Sequence, residues 1–255
     1  MISRRAMAGA AGLAVPGLAF ARGKDGELSL DQVVRRHTIA RGGARALDAV
    51  RSVRTDLLIT EQGATVTAAY RATLDRRMRI DVTLGGKRVW SEGIDGAGVW
   101  AWPGDKPAPA PSSADGERAL RHGIDFNLVG LHRFPALGHR LTLAGRETLG
   151  GADLYVVQID MADGFQTFRY IDPASWMIVR SRDIRAIHPD LDATRKPLEN
   201  VYEDFRPVGG VLVSFASRQV DVASGKVLQE TRLAGESHNP PAAGLNLDRA
   251  EPSLA

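Results

Sequence analysis

Six histidines, His37, His122, His132, His139, His188 and His238, are the residues best suited to hold a metal or move a proton near neutral pH. None stands at i, i+4 to another with an acid beside it, the spacing that puts two ligands on one helical face. His122 and His132 share one helical segment and read as polar helix surface. Cysteine is absent, which excludes disulfides, thiolate metal sites and a thiol nucleophile. No Gly-x-Ser-x-Gly elbow occurs, and Ser91, followed by Glu92-Gly93, reads as a strand-end serine. Gly86-Lys87 and Gly225-Lys226 are hairpin turns with no phosphate loop ahead of them. Gly96-Ala97-Gly98 lacks the third glycine and the helix that a dinucleotide site requires. The acids fall mostly at turns, as Asp95, Asp163 and Asp172 do, where a short side chain closes an Asx turn. Paired carboxylates brought together by the fold are the one hydrolytic chemistry left open. No catalytic residue, metal ligand or cofactor is expected.

The aromatic residues say more. Trp90, Trp100 and Trp102 fall close together, with Trp100 and Trp102 on one face of a short strand, and Phe126, Phe134, Tyr155, Phe165, Phe168 and Tyr170 follow. Most of these serve as core. A curved sheet too wide to fill itself would also leave an apolar cavity lined by them. Such a cavity suits an oily ligand: at ~0.8 kcal/mol per methylene, a chain of about 14 carbons gains up to roughly 11 kcal/mol before ordering costs.

The elements that position these residues can be read from periodicity. Ser29 and Gln32 have capping-box spacing, Leu28 and Val33 suit a hydrophobic staple, and Gly42-Gly43 ends the helix that follows. From Val53 the period switches to two. Met78, Ile80, Val82 and Leu84 alternate with Arg77, Arg79, Asp81 and Thr83, and similar runs surround Tyr155, Phe168 and Val213. Turn signals such as Gly85-Gly86, Gly150-Gly151 and Gly209-Gly210 separate them. The expected fold is mainly β, with about eleven or twelve antiparallel strands in one large curved sheet or open, partial barrel. One insertion, about 103–135, interrupts it: a Pro-, Ala- and Ser-rich loop over 103–117, then Leu120, Ile124, Leu128 and Leu131 at helical spacing up to Pro135. Gly123 and Gly130 weaken that helix by roughly 1 kcal/mol each, so it must lean on the sheet, either as a movable lid or as a fixed plug.

The first residues carry an address. Ser3-Arg4-Arg5, the uncharged run Ala6 to Phe20, and Ala19-Phe20-Ala21 have the layout of a cleaved secretory signal over residues 1–21, by the Sec or the twin-arginine route. The apolar run is shorter than the ~20 residues that span a bilayer, and no acceptor cysteine follows it. The expected mature chain, 22–255, is one untethered periplasmic domain, a monomer. Without residues 1–21 the formal charge falls from +3 to +1. Basic residues alternate with acids, which argues against nucleic acid as a partner.

Arg76-Arg77-Met78, followed by Asp95-Gly96-Ala97-Gly98-Val99-Trp100-Ala101-Trp102-Pro103, resembles the LolA-type periplasmic lipoprotein carriers. Arg41-Gly42-Gly43 with Ala46-Leu47 and Val50-Arg51-Ser52, and the later Tyr170-Ile171-Asp172-Pro173 turn, are similar to longer outer-membrane lipoprotein-sorting proteins. The order of elements matches over most of the mature chain. The resemblance implies an open barrel closed by helices, whose cavity shields the acyl chains of a lipidated protein or another lipid between an inner-membrane donor and an outer-membrane acceptor. It implies a lid-holding arginine at Arg76 or Arg77, although Met78 stands near the place of the family's proline. Met78, Ile80, Trp90, Trp100, Trp102, Phe168 and Tyr170 would line the cavity, and Leu120, Ile124, Leu128 and Leu131 the underside of the lid. A periplasmic sensor module of the same fold is the alternative, and a carboxylate hydrolase a weaker one.

Overall fold

The computed structural model describes residues 28–250; the expected export signal lies outside the described residues. Helix α1, Leu30–Ala40, starts as its sequence dictates: Gln32 N donates to Ser29 Oγ and Ser29 N to Gln32 Oε1, closing the capping box. Leu28 and Val33 pack into one cluster. Gly42 and Gly43, at φ +121° and +88°, end the helix, and α2, Ala44–Asp48, follows.

The first meander is β1 Ser52–Glu61, β2 Ala64–Thr73, β3 Met78–Leu84, β4 Lys87–Asp95, β5 Gly98–Pro103 and the two-residue β6 Ala110–Pro111. Helix α3, Ala114–Leu128, and a 3-10 helix, Leu131–Leu137, separate it from the second meander. That one runs β7 Arg140–Leu149, β8 Ala152–Asp160, β9 Gln166–Ile171, β10 Ile178–Arg185, β11 Lys196–Val208, β12 Val211–Asp221 and β13 Val227–His238. All thirteen strands form one antiparallel sheet in the order β6-β5-β4-β3-β2-β1-β13-β12-β11-β10-β9-β8-β7. The expected mainly-β, open curved sheet is what forms. The count exceeds eleven or twelve partly because β6 lies inside the segment read as loop, pairing Trp100 with Pro111.

Only β1–β13 joins the two meanders, so β6 and β7 are the edges, and the α3 segment is the chain that passes from one edge to the other. Register shifts at Asp56/Leu57, Val82/Thr83 and Leu143/Gly145 mark bulges, which bend strands and deepen curvature.

Alternate residues of each strand face opposite sides of the sheet. On the helix-covered inner face, Val53, Tyr70, Met78 and Ile94 pack with Leu120, Ile124 and Leu128 of α3. Val33 of α1, with Leu131 and Phe134, packs on Tyr155, Val157 and Ile159. On the outer face Leu154, Val156, Phe168 and Tyr170 form a separate cluster.

The helix of the insertion differs in extent from the expected one. Ser113 Oγ accepts from Gly116 N and starts it at Ala114, and Val129, in an extended conformation, ends it after Leu128. Leu131 therefore belongs to the 3-10 helix, not to α3. The two pieces still present Leu120, Ile124, Leu128 and Leu131 to buried surroundings.

Two glycines make opposite demands. A Cβ at Gly42 would run into the carbonyl of Gly210 at a positive φ, whereas one at Gly123, inside α3, would meet nothing within 4 Å. Gly42→Ala is expected to destabilise by about 2 kcal/mol or more. Gly123→Ala is expected to stabilise by about 1 kcal/mol. Urea unfolding midpoints of the two variants check both signs.

Candidate functional site

Between the inner face of the sheet, α1, α3 and the 3-10 helix lies a cavity of about 460 Å³. Its walls are mostly apolar: Leu57 and Ile80 from the first meander, Phe205, Val213 and Leu233 from the second, and Leu128 and Leu131 from above. Of the residues expected to line a cavity or its lid, Ile80, Leu128 and Leu131 lie in its wall. Met78, Leu120 and Ile124 belong to the buried cluster beside it but do not form its wall.

The other expected lining residues sit elsewhere, and the register shows why. Ile80 pairs with Glu92, and Arg79 with Gly93, which pairs with Trp100. Trp100 therefore shares the outer face with Arg79, as Trp102 does with Ser91 and Asp81. Arg79 is fully buried there, bound to Asp81 through its guanidinium and to the carbonyls of Asp248 and Ala250. The segment after β13 covers this face, and Trp100 and Trp102 pack beneath arginines, with Arg79 over one ring and Arg88 over the other. Phe168 and Tyr170 lie on the outer face too, where Tyr170 Oη donates to Glu147 Oε2 (3.0 Å) and Arg182 bridges Glu147 and Glu199. Trp90 is on the inner face, its indole N–H on Glu92 Oε2, away from the cavity wall.

What the sequence reading missed is the share of the second meander: Arg169 of β9, Tyr202 and Phe205 of β11, and the inner residues of β12 and β13. One signal was available. Arg169 alternates with Phe168 and Tyr170, so it faces away from them along with Thr167 and Ile171, both fully buried.

The cavity has a polar side. Glu236 is the one carboxylate in its wall among the described residues; it accepts from Thr55 Oγ1 (3.1 Å) and lies 2.9 Å from His238 Nε2. At the α1 side His37 Nδ1 donates to the Trp176 carbonyl (2.8 Å), which leaves Nε2 bare and the ring neutral. Burial, reinforced by Arg41, pushes the His37 pKa down to about 4.

The roof is tied to the sheet by polar contacts at three points. Asp115 at the start of α3 binds Arg195, with two contacts of 2.8–2.9 Å. His122 Nε2 lies 2.9 Å from Asp163 in the β8–β9 turn. Asp125, its side chain 5% exposed, forms an ion pair with Arg76 at 2.7 Å and lies 3.4 Å from His139 Nε2. Arg76 sits in the β2–β3 turn at φ +70°, and it is this arginine that reaches α3. Arg77 points to Asp248 instead.

No protein-family model matches the chain, and no curated protein matches it in sequence. Solved structures do. A LolA superfamily protein from Nitrosomonas europaea superposes with a TM-score of 0.54 at 10% identity, over 86% of this chain and 97% of that one. The fold is LolA-like. A putative outer membrane lipoprotein-sorting protein domain from Vibrio parahaemolyticus is similar at TM-score 0.54 and 10% identity, over 84% and 95% of the two chains. A DUF1329 family protein from Desulfovibrio piger is similar at 0.53 and 9%, over 85% and 98%.

Two measurements probe this LolA-like chain where its roof meets its cavity. Because the folded-state pKa of His37 lies below its unfolded value of 6.5, the stability tied to the neutral ring is present above pH 6.5 and lost as pH falls toward 4. The loss should reach about 3 kcal/mol at ~1.4 kcal/mol per pKa unit. His37→Asn should flatten the pH dependence of unfolding in that window. Arg76→Met leaves Asp125 buried with only His139 beside it, and should cost about 1–2 kcal/mol, Arg76 itself being partly exposed. Hydrogen exchange in α3 should speed up with exchange in β8 and β11 unchanged; uniform acceleration across the sheet would show that the pair does not act on the helix alone.

Proposed function

We propose that the protein is a periplasmic binding protein for an acyl chain, carried by a lipid or a lipidated protein, and that it is not an enzyme. The observation that carries this reading is the apolar cavity beneath a helix that crosses the open side of the sheet. A methylene occupies about the volume of a liquid water molecule, ~30 Å³, so about 460 Å³ takes on the order of 15 methylenes, one chain. Burying that chain supplies a driving force of roughly 12 kcal/mol before ordering costs. The fold shared with a lipoprotein-sorting domain, the export signal expected at residues 1–21 and the near-neutral charge of the chain without it all support the same reading. So does the finding that, among the described residues, no helix is long and apolar enough to cross a membrane.

In this reading α3 and the 3-10 helix act as the lid, and Arg76 as its latch on Asp125. An inner-membrane donor delivers the chain, the lid lifts as the Asp125, Asp163 and Asp115 contacts part, the chain enters along Leu128, Leu131 and Ile80, and an acceptor withdraws it. The protein acts as a monomer, needs no cofactor and binds no nucleic acid.

The test is uptake of a fluorescent fatty acyl probe by the chain from residue 22, with mass spectrometry of lipid extracted from protein made in its own periplasm. Phe205 is a partly exposed wall residue, so Phe205→Asp should fold and lose probe affinity by about tenfold or more. Phe168→Leu, on the outer face, should bind as the parent does. A parent protein that is repeatedly empty and takes up no probe overturns the reading.

A further inference from the structure

We infer that the cavity is built for a single-chain amphiphile with an anionic head, a carboxylate or a phosphate, received by Arg169 and Tyr202. This deepens the acyl-binding reading above and rests on it.

Arg169 lines the cavity while only 7% exposed, and no ion pair to it exists among the described residues. Its contacts are a single hydrogen bond from Nη1 to Tyr202 Oη (3.3 Å) and the face of Phe126, 4.0 Å from the guanidinium carbon. The other deeply buried inner- or outer-face guanidinium of this sheet, Arg79, is saturated by a carboxylate and two carbonyls. A buried cation without a counter-charge is costly, and a guanidinium has five N–H donors in a planar fork. One is used. The fork matches the two oxygens of a carboxylate or phosphate.

The neighbouring hydrogen bonds point the same way. Arg169, Ser181, Asn200 and Gln219 form one cross-strand row on the inner face, β9 to β12. Gln219 Nε2 donates to Asn200 Oδ1 (3.2 Å), and Asn200 Nδ2 donates to Ser181 Oγ (3.2 Å). Ser181 Oγ lies 3.0 Å from Tyr202 Oη, a hydrogen bond in which either hydroxyl can be the donor. Tyr202 Oη accepts from Arg169, and with Ser181 as the donor of the pair its own O–H is left for a ligand. Guanidinium N–H and phenol O–H thus meet at one spot in a mostly apolar wall, with no carboxylate paired to either among the described residues. An oxygen anion satisfies both. An alcohol head leaves the guanidinium uncompensated, and an ammonium head is repelled. Glu236, the carboxylate of the cavity, is engaged by Thr55 and His238.

Binding of myristate, tetradecyl phosphate and tetradecanol, measured by calorimetry at pH 8 on the chain from residue 22, tests this. One or both anions should bind at least about tenfold tighter than tetradecanol. The tighter anion then tells a fatty acid from a phosphate head. Arg169→Met should abolish the preference and leave tetradecanol affinity within about threefold. Arg169→Lys should retain part of the preference, and Tyr202→Phe should reduce it. Equal affinity for anions and alcohol in the parent overturns the inference alone, as does Arg169→Met weakening all three ligands by one factor. If none of the three binds, the acyl-binding reading itself falls, and this inference with it.

Discussion

The constraint on which the structure depends is an antiparallel sheet that curves without closing. Thirteen strands bend around one inner face, yet β6 and β7 do not pair. The inner face is too apolar to stay wet, and side chains of the sheet alone do not fill the space it encloses. The chain between the two edges therefore has to roof it. That α3 and the 3-10 helix lie between β6 and β7 in sequence is what makes this possible without a crossover through the sheet. β6 itself is two residues long and carries Pro111, a blunt edge that offers little for another strand to extend.

The roof meets the sheet in two ways. Under its middle, Leu120, Ile124 and Leu128 bury apolar surface in a cluster continuous with β1–β4, and Leu131 and Phe134 do so against β8. Around its rim the contacts are ionic and lie on turns: Arg195, Asp163 and Arg76. Apolar contacts lose energy gradually as surfaces slide apart, whereas a partly exposed ion pair can exchange its partner for water at small net cost. In the proposed carrier role, a roof held at the rim by such pairs would lift while the strands beneath keep their register. Asp125 differs from the rest of the rim because it is buried, and its charge is what ties α3 to a particular turn.

Much of this is legible in the sequence, and the remainder fails for one physical reason. The capping box at Ser29, the Gly42-Gly43 stop and the alternation of Met78 to Leu84 are local features, set by residues within a few positions of one another, and each is found where the spacing puts it. Period-2 alternation says that Trp100 and Ile80 belong to definite faces of their strands, but not which face of the sheet is inner. That is decided by register across β3, β4 and β5, which pairs Trp100 with Gly93 and Gly93 with Arg79. Two faces are buried in this protein, one by α3 and one by the segment after β13, so hydrophobicity marks both alike. Phe168 and Tyr170 illustrate the same ambiguity. Their strand is buried on both sides, and the cue to the inner side is the charged residue between them rather than the aromatic ones.

Covering the outer face has a consequence for the inner one. Arg79 holds the carbonyls of Asp248 and Ala250 with Asp81 and Ser91 behind it, and Arg249 returns to Asp95 at 2.6 Å. These contacts brace β3, β4 and β5, the strands that carry Ile80 and the turn holding Arg76, from the side away from the cavity. On the second meander the outer face is braced by Glu147, Arg182 and Glu199 beneath Tyr170. Both halves of the cavity wall are thus stiffened by polar networks that never enter the cavity, and the polar groups that do enter it are few and placed. His37 stays neutral, Glu236 is engaged by its neighbours, and Arg169 has no ion-pair partner among the described residues. An apolar wall could have been completed with a leucine at that position at less cost. An anion supplied by a ligand, as inferred above, would account for keeping the guanidinium.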